Sequence, residues 1–272
     1  MSAFICPSCG EKLEIAGKTY VCPNRHSFDT AKSGYVNLLL SKHTGKSIHG
    51  DNKLMVQARR KFLGKGYYGE LCSALCEAVC RNLNGEAILD AGCGEGYYTA
   101  AIIDKLSEQK IAAKVCGIDI SKAAVEYAAK LCKEAELAVA SVFHIPVGDE
   151  SCDMLVTLFA PYCGEEFRRV LKKNGIMIMA IPSYDHLWEL KQTIYDTPYK
   201  NEVKPYELEG FELVEKKRIT YDMQLDSNED IEALFSMTPY YYRTGREQQE
   251  RLANIDRLCT KADFELLIYR KI

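Results

Sequence analysis

The chain has 272 residues, 47% of them apolar and 27% charged, with a formal net charge of -3, the balance of a globular protein able to bury a sizeable core. No apolar run approaches the roughly 18–20 residues needed to cross a bilayer as a helix, and Met1 to Cys9 lacks the basic-then-apolar pattern of a secretory leader. A membrane protein and a secreted disulfide scaffold are therefore both disfavoured, and the expected compartment is the cytoplasm, where the twelve cysteines stay reduced.

The charge is unevenly spread. Residues 1–66 hold 11 Lys and Arg against 4 Asp and Glu, and the rest of the chain holds 24 against 34. A basic end on an acidic body suits an anionic partner such as nucleic acid, although a chance excess of solvated lysines gives the same count. Residues 1–36 read as short strands and turns around the string CPSCGEKLEIAGKTYVCPNRH. Two residues separate Cys6 from Cys9, twelve separate Cys9 from Cys22, and three separate Cys22 from His26. Two short-spaced pairs on a hairpin supply the four soft or borderline ligands that zinc takes in a tetrahedron. Such a set leaves no open position, so the expected metal role is structural, and binding supplies much of the folding free energy of so small a module. A redox role for Cys6 and Cys9 would leave the second pair unexplained.

Residues 37–66 read as a connector. Within it, 41–53 is polar, basic and glycine-containing, the pattern of a mobile loop; His43 and His49 fall there and are not counted as ligands. Leu54 to Leu63 and Leu71 to Leu83 show helical spacing, and Cys72, Cys76 and Cys80 repeat on one face as small core residues. After Asn84 and Gly85, strands at Ala87–Asp90, Lys114–Ile118, Leu137–Ser141, Asp153–Thr157 and Ile176–Ile181 alternate with helices near Tyr97–Leu106, Lys122–Lys133 and Glu165–Leu171. This alternation predicts an α/β domain over residues 67–272 with a parallel sheet, the Rossmann-like class. The tail breaks the pattern: strands at Phe211–Tyr221 and Phe264–Tyr269 flank helices near Glu229–Phe235 and Arg246–Leu258.

The first strand leads into AILDAGCGEGYYT. Gly92, Gly94 and Gly96 let the chain turn sharply and let a ligand approach the backbone, and the helix that follows presents free N–H groups to a carboxylate. A dinucleotide fold prefers G-x-G-x-x-G; here the third glycine comes one residue early and is followed by Tyr97. That spacing suits S-adenosylmethionine, which carries a carboxylate and no pyrophosphate. The second strand ends in Asp119, 23 residues after Gly96, where an acidic side chain can accept from both ribose hydroxyls. The third strand ends at Ser141, where Ser141 or a backbone group would meet the adenine. The fourth ends in LFAPYC, predicted to edge the pocket where the methyl group leaves.

These segments together resemble the bacterial 23S rRNA guanine-N1 methyltransferase family. The matching strings are the zinc-type string with Cys6, Cys9, Cys22 and His26, then FDTAKSGYVNLL, MVQARRKFL, LDAGCGEGYYT, IDISKAAVEYAAK, APYCGEE, HLWELK and SMTP, running from near residue 6 to near residue 239. The resemblance implies a class I S-adenosylmethionine-dependent methyltransferase with an N-terminal zinc-binding domain and a 23S rRNA hairpin as partner. It implies zinc at Cys6, Cys9, Cys22 and His26, and cofactor contacts from Tyr68, Gly94, Glu95 and His186. The family divides into branches that methylate neighbouring guanines, one of which confers macrolide resistance. The loop after Pro182 reads SYDH, without the Gly-Pro character of some members. A homodimer stays open as an assembly.

Arg59, Arg60 and Lys61 either meet phosphates or line a solvated helix face. Tyr240, Tyr241 and Tyr242 either stack on unpaired bases or pack the core. No residue is assigned as the base that deprotonates guanine N1, and Asp90 is read as a brace for the loop. Two other functions fit the residues: a methyltransferase of small metabolites whose zinc module is only structural, and a non-catalytic RNA-binding protein that keeps the fold.

Overall fold

The computed structural model describes residues 2–40, 50–203 and 205–272; residues 41–49 of the predicted loop, with His43 and His49, lie outside the described residues. At the N-terminus, β1 (Glu14–Ala16), β2 (Thr19–Val21) and β3 (Ser27–Asp29) form a three-stranded antiparallel sheet. Gly17, at φ 66°, begins the two-residue turn between β1 and β2, the glycine-first hairpin whose twist matches its strands. The next strand, β4 (Val36–Asn37), leaves this small sheet and pairs in parallel with β7 (Glu136–Val139) of the main one.

Two helices, α1 (Lys53–Gly64) and α2 (Gly69–Asn82), lead into β5 (Ala87–Ala91), α3 (Tyr97–Glu108), β6 (Lys114–Asp119), α4 (Lys122–Leu131) and β7. Then come β8 (Cys152–Leu158), α5 (Gly164–Val170), β9 (Leu171–Pro182), α6 (Trp188–Ile194), β10 (Phe211–Leu225), α7 (Asn228–Ser236), α8 (Arg246–Ala253) and β11 (Leu258–Lys271). The main sheet runs β10-β11-β9-β8-β5-β6-β7-β4. Strands β4 to β9 pair in parallel, and β11 runs antiparallel to both β9 and β10. The chain winds from β5 to β7 on one side and crosses back to β8 on the other. The winding direction therefore reverses between β5 and β8, and the crevice beyond the carboxyl ends of such strands is where open α/β sheets bind ligands.

Both faces of the sheet are covered, which is why β5, β6 and β8 read as near-continuous apolar runs. One face packs Ile88, Val156 and Ile178 against Leu71 and Leu75 of α2 and Ile102 of α3. The other packs Leu89, Leu155 and Met177 in one cluster with Phe167 and with Phe4, Leu13 and Tyr20 of the N-terminal module. Asn52 caps α1 by accepting a hydrogen bond from Met55 N, and the far end of α1 is tied to α7, with Lys61 paired to Glu229 and Lys65 Nζ 2.5 Å from Asp230. Among the described residues no helix is long and apolar enough to cross a membrane, and none of the twelve cysteines is in a disulfide.

The tail departs from its sequence pattern. The two strands extend to Leu225 and back to Leu258, so the helix expected to run to Leu258 stops at Ala253. The added stretch of β11, LCTKAD, has no apolar run; its partner β10 holds it by backbone pairing from Leu225↔Leu258 to Thr220↔Asp263.

Candidate functional site

Four candidate ligands converge at the N-terminus. The sulfurs of Cys6, Cys9 and Cys22 and a ring nitrogen of His26 all lie within 4.8 Å of one another. Cys9 Sγ is 3.7 Å from Cys22 Sγ, and His26 Nδ1 is 3.5 Å from Cys6 Sγ and 3.4 Å from Cys22 Sγ. Bond lengths of about 2.3 Å to sulfur and about 2.0 Å to nitrogen give tetrahedron edges of roughly 3.5–3.8 Å, so the donor set fits zinc in both chemistry and spacing. Each pair sits on a tight turn: Gly10 N donates to Cys6 O at 2.8 Å, and Arg25 N donates to Cys22 O at 2.9 Å. The turn backbones pass through left-handed conformations at Gly10 and Arg25. Ile5 N donates to Pro146 O at 2.9 Å, which docks this module on the segment before β8.

The second constellation lies at the carboxyl ends of β5 and β6. The loop backbone is fastened to β6, with Gly92 N and Cys93 N both donating to Ile118 O at 2.9 and 3.0 Å. Gly92 has φ 96°, and a Cβ built on it would stand 2.4 Å from Ala160 Cβ, so only glycine lets the end of β8 close on the loop. Gly94 has φ 56° and the opposite surroundings: an added Cβ meets nothing within 4 Å, so the position is open. Gly96, left-handed at the N-cap of α3, turns instead towards Ala128 of α4.

Asp119 Oδ2 accepts from Gly94 N at 3.0 Å and Oδ1 from Ser121 N at 2.7 Å. Two of its roughly four acceptor sites remain for a ligand. Burial raises its pKa, opposed by those two N–H groups. Asp90 is buried beneath the loop, accepts from Thr99 Oγ1 at 2.6 Å, and is pushed up to about 7, mainly by burial. Glu95 is buried and raised by burial, with Arg59 acting against the shift.

Across the crevice, the buried Tyr68 and His186 meet, 118 residues apart in sequence. Asp263 N donates to His186 Nδ1 at 3.3 Å, so Nδ1 is an acceptor, the ring proton sits on Nε2, and Nε2 faces Tyr68 Oη at 3.4 Å. Burial drives the His186 pKa down to about 3, and the ring is neutral. Phe264 packs on both rings, with centroids 4.8 Å from Tyr68 and 4.5 Å from His186. Ser141 lies two residues beyond β7; its hydroxyl accepts from Phe143 N at 3.2 Å, and neighbouring Ala140 N donates to Asp119 O at 3.0 Å.

A methyltransferase-domain family matches residues 82–235, and a family described as the N-terminal region of RlmA matches residues 4–44. A Bacillus subtilis protein, YxjB, provisionally named a 23S rRNA (guanine-N(1)-)-methyltransferase, is 32% identical over 99% of this chain and 98% of its own length. The chain belongs to the 23S rRNA guanine-N1 methyltransferase family. A Streptomyces fradiae member, named 23S rRNA (guanine(748)-N(1))-methyltransferase, is 34% identical over 68% of this chain and 65% of its own. A solved Bacillus halodurans structure, described as a candidate methyltransferase, has a TM-score of 0.50 at 17% identity and covers 73% of this chain and 97% of its own; it speaks for the fold alone.

In this methyltransferase the basic run on α1 faces inward or along the surface to partners of its own. Arg59 pairs with Asp51, approaches Glu95 at 4.0 Å, and donates to Met237 O at 3.5 Å. Arg60 lies over the Tyr127 ring at 4.1 Å, and Lys61 pairs with Glu229. The sequence leaves Arg59 open between a phosphate contact and a solvated helix face, and neither alternative signals its pairing with Asp51 and Glu95. Tyr240 and Tyr241 are half-buried against the core and only Tyr242 is exposed, held by Asn52 Nδ2 donating to its hydroxyl at 2.5 Å. Lys191, also unsignalled in sequence, is fully buried and is pushed down to about 8, mainly by burial. Its Nζ donates to Asn201 Oδ1 at 2.6 Å, and Asn201 Nδ2 donates to the carbonyls of Ser183 and His186 at 2.8 and 3.2 Å, which anchors the loop that carries His186.

Proposed function

We propose that this chain transfers a methyl group from S-adenosylmethionine to N1 of a guanine in a 23S rRNA hairpin, and that residues 1–36 with the basic connector help to hold the RNA. One observation carries the reading: the Asp119 carboxylate, bonded to Gly94 N–H beside an open position at the strand switch. That is the cradle a ribose needs, in a chain related over 99% of its length to a family of this chemistry.

The cofactor supplies an electrophilic methyl on a positively charged sulfur. In this reading the two free acceptor sites of Asp119 take the ribose hydroxyls. Gly96 gives α3 no side-chain cap, which leaves first-turn N–H groups for a carboxylate. Tyr68, Glu95 and His186 wall the cleft, and Ser141 or its backbone faces the adenine. Cys6, Cys9, Cys22 and His26 hold a structural zinc. Guanine N1 lies on the pairing edge, so the base must leave the stack before transfer. Alignment of N1 with the methyl then supplies much of the rate. N1 also carries a proton that an acceptor must take; Asp90, tied to Thr99, braces the loop instead.

The test is transfer of label from S-adenosylmethionine to 23S rRNA hairpin fragments, with the modified guanine mapped as a stop in reverse transcription. The Streptomyces fradiae relative's name specifies guanine 748; mapping identifies the nucleotide for this chain. Label entering small metabolites but no RNA sinks the reading, as does salt-sensitive RNA binding with no transfer from a cofactor that is bound.

A further inference from the structure

Six non-glycine residues among those described have left-handed backbones. Four of them, Arg25, Lys110, Glu150 and Asn174, are polar or charged. The two bulky apolar ones are Phe159, the first residue beyond the carboxyl end of β8, and Leu187, which follows His186 and is buried. A left-handed backbone is unfavourable for a large side chain, and residues so held concentrate where the fold over-determines them for function.

At Phe159, φ is 57°. Three contacts hold the backbone there. Phe159 N donates to Ala180 O at 3.2 Å, which ties the residue to β9. Ala160 is pressed against Gly92 of the cofactor loop. Pro161 keeps Ala160 out of the helical region. The conformation sets the aromatic ring beside Tyr68, just beyond the carboxyl end of β8. One side of the ring rests on Tyr68 and Phe264, at centroid distances of 6.4 and 5.6 Å and interplanar angles of 48° and 53°. The rest is open, and Phe159 is 46% exposed although its supports Tyr68 and Phe264 are buried.

A strained backbone that keeps a large apolar ring half in solvent is a poor arrangement for stability alone. It suits a flat ligand that covers the ring. The position limits what that ligand is. It lies one residue from the contact between β8 and the cofactor loop, and its ring touches the wall formed by Tyr68. The cofactor's sugar side is at Asp119, on the opposite side of β5 from β8. The flat group that reaches Phe159 is therefore the methyl acceptor.

We infer that Phe159 is the stacking platform for the extruded guanine, holding the base face-on beside the cofactor so that N1 lies in line with the methyl. The inference rests on the RNA methyltransferase reading and adds to it a residue that touches the substrate. Extruded bases are commonly held on aromatic faces, and stacking tolerates any flat aromatic ring.

The experiment compares wild type with Phe159→Leu, Phe159→Tyr and Phe159→Trp in the zinc-loaded full chain, with Leu131→Ala, an exposed apolar residue on α4, as a surface control. Cofactor Kd, melting temperature and kcat/KM on an rRNA hairpin are read for each. For Phe159→Leu, kcat/KM on RNA falls by about ten-fold or more, the effect of losing one base–aromatic stack, while cofactor Kd stays within about two-fold. Phe159→Tyr and Phe159→Trp keep kcat/KM within a few-fold of wild type, and Leu131→Ala is unchanged. The inference is overturned if Phe159→Leu methylates RNA as wild type does. It is also overturned if cofactor affinity falls in parallel, which makes the ring a cofactor wall, or if the aromatic variants fold and bind cofactor yet are as slow as leucine. A wild-type enzyme that methylates no RNA fails the underlying reading instead, so the two failures are told apart.

Discussion

Substituting alanine at two glycines only two residues apart separates packing from ligand space in the cofactor loop. At Gly94, φ is 56° and an added methyl meets no protein atom within 4 Å. Alanine there suffers only the left-handed penalty of about 1–2 kcal/mol. At Gly92 the same class of penalty applies, and the methyl also falls 2.4 Å from Ala160 Cβ; forcing it in adds about 1–3 kcal/mol of overpacking. With about 2–4 °C of melting temperature per kcal/mol for a domain of this size, Gly94→Ala melts a few degrees below wild type and Gly92→Ala roughly twice as far below. S-adenosylmethionine at about a hundred times its Kd adds about 2.7 kcal/mol to wild type. Gly94→Ala loses most of that ligand-induced rise because its methyl occupies the cleft. Differential scanning fluorimetry with and without cofactor reads both quantities. The geometry is refuted if Gly94→Ala melts as low as Gly92→Ala without ligand, or if it keeps the full wild-type rise.

Three further outcomes follow from the same distances. Stripping zinc with a chelator, or Cys22→Ala, frays residues 4–40 to protease and lowers the melting temperature, because Phe4, Leu13 and Tyr20 share a core cluster with β8 and β9; unchanged digestion would show that the metal is not structural. Arg59→Met leaves Glu95 and Asp51 without their shared cation, lowers stability by about 1–3 kcal/mol and weakens cofactor binding. Adding Glu95→Gln to that variant recovers part of the stability, and a double mutant no better than the single would rule out the coupling. His186, held near pKa 3 against an ordinary 6.5, contributes stability that is complete above pH 6.5 and is lost as pH falls towards 3. Asp90, held near 7 against 3.8, has the opposite sign, with stability complete below pH 3.8 and lost as pH rises towards 7. Relative to wild type, denaturant titrations between pH 4 and 6.5 therefore show a stability slope that shifts towards falling with pH in His186→Gln and towards rising with pH in Asp90→Asn; slopes shifted the same way in the two variants would contradict the assignment.

The features legible in sequence are those whose chemistry is packed into consecutive residues. The glycines of 92–96 sit between a strand and a helix, and the ligand pairs of the N-terminal module are each fixed by a tight turn, so spacing alone encodes their convergence. Asp119 was readable because one helix and one strand give a nearly constant offset from the loop. What was not legible depends on contacts across the sheet. Nothing in YVNLL says that Val36 and Asn37 extend the large sheet, since two residues carry no period, and the pairing is chosen by the open edge of β7. Tyr68 and His186 entered through resemblance, and their hydrogen bond exists only because α2 and the loop after β9 pack on the same side of Phe264. Arg59 shows the general difficulty. A cation on an amphipathic helix is by default a surface charge, and only the return of Glu95 beneath α1 turns it into a counter-ion for the cofactor loop. Phe159 is the extreme case, because its significance lies in a backbone angle. The string LFAPYC marks this strand end as a pocket edge but not which of its residues turns outward, because the tertiary contacts of its neighbours hold Phe159 in a conformation its own preferences oppose.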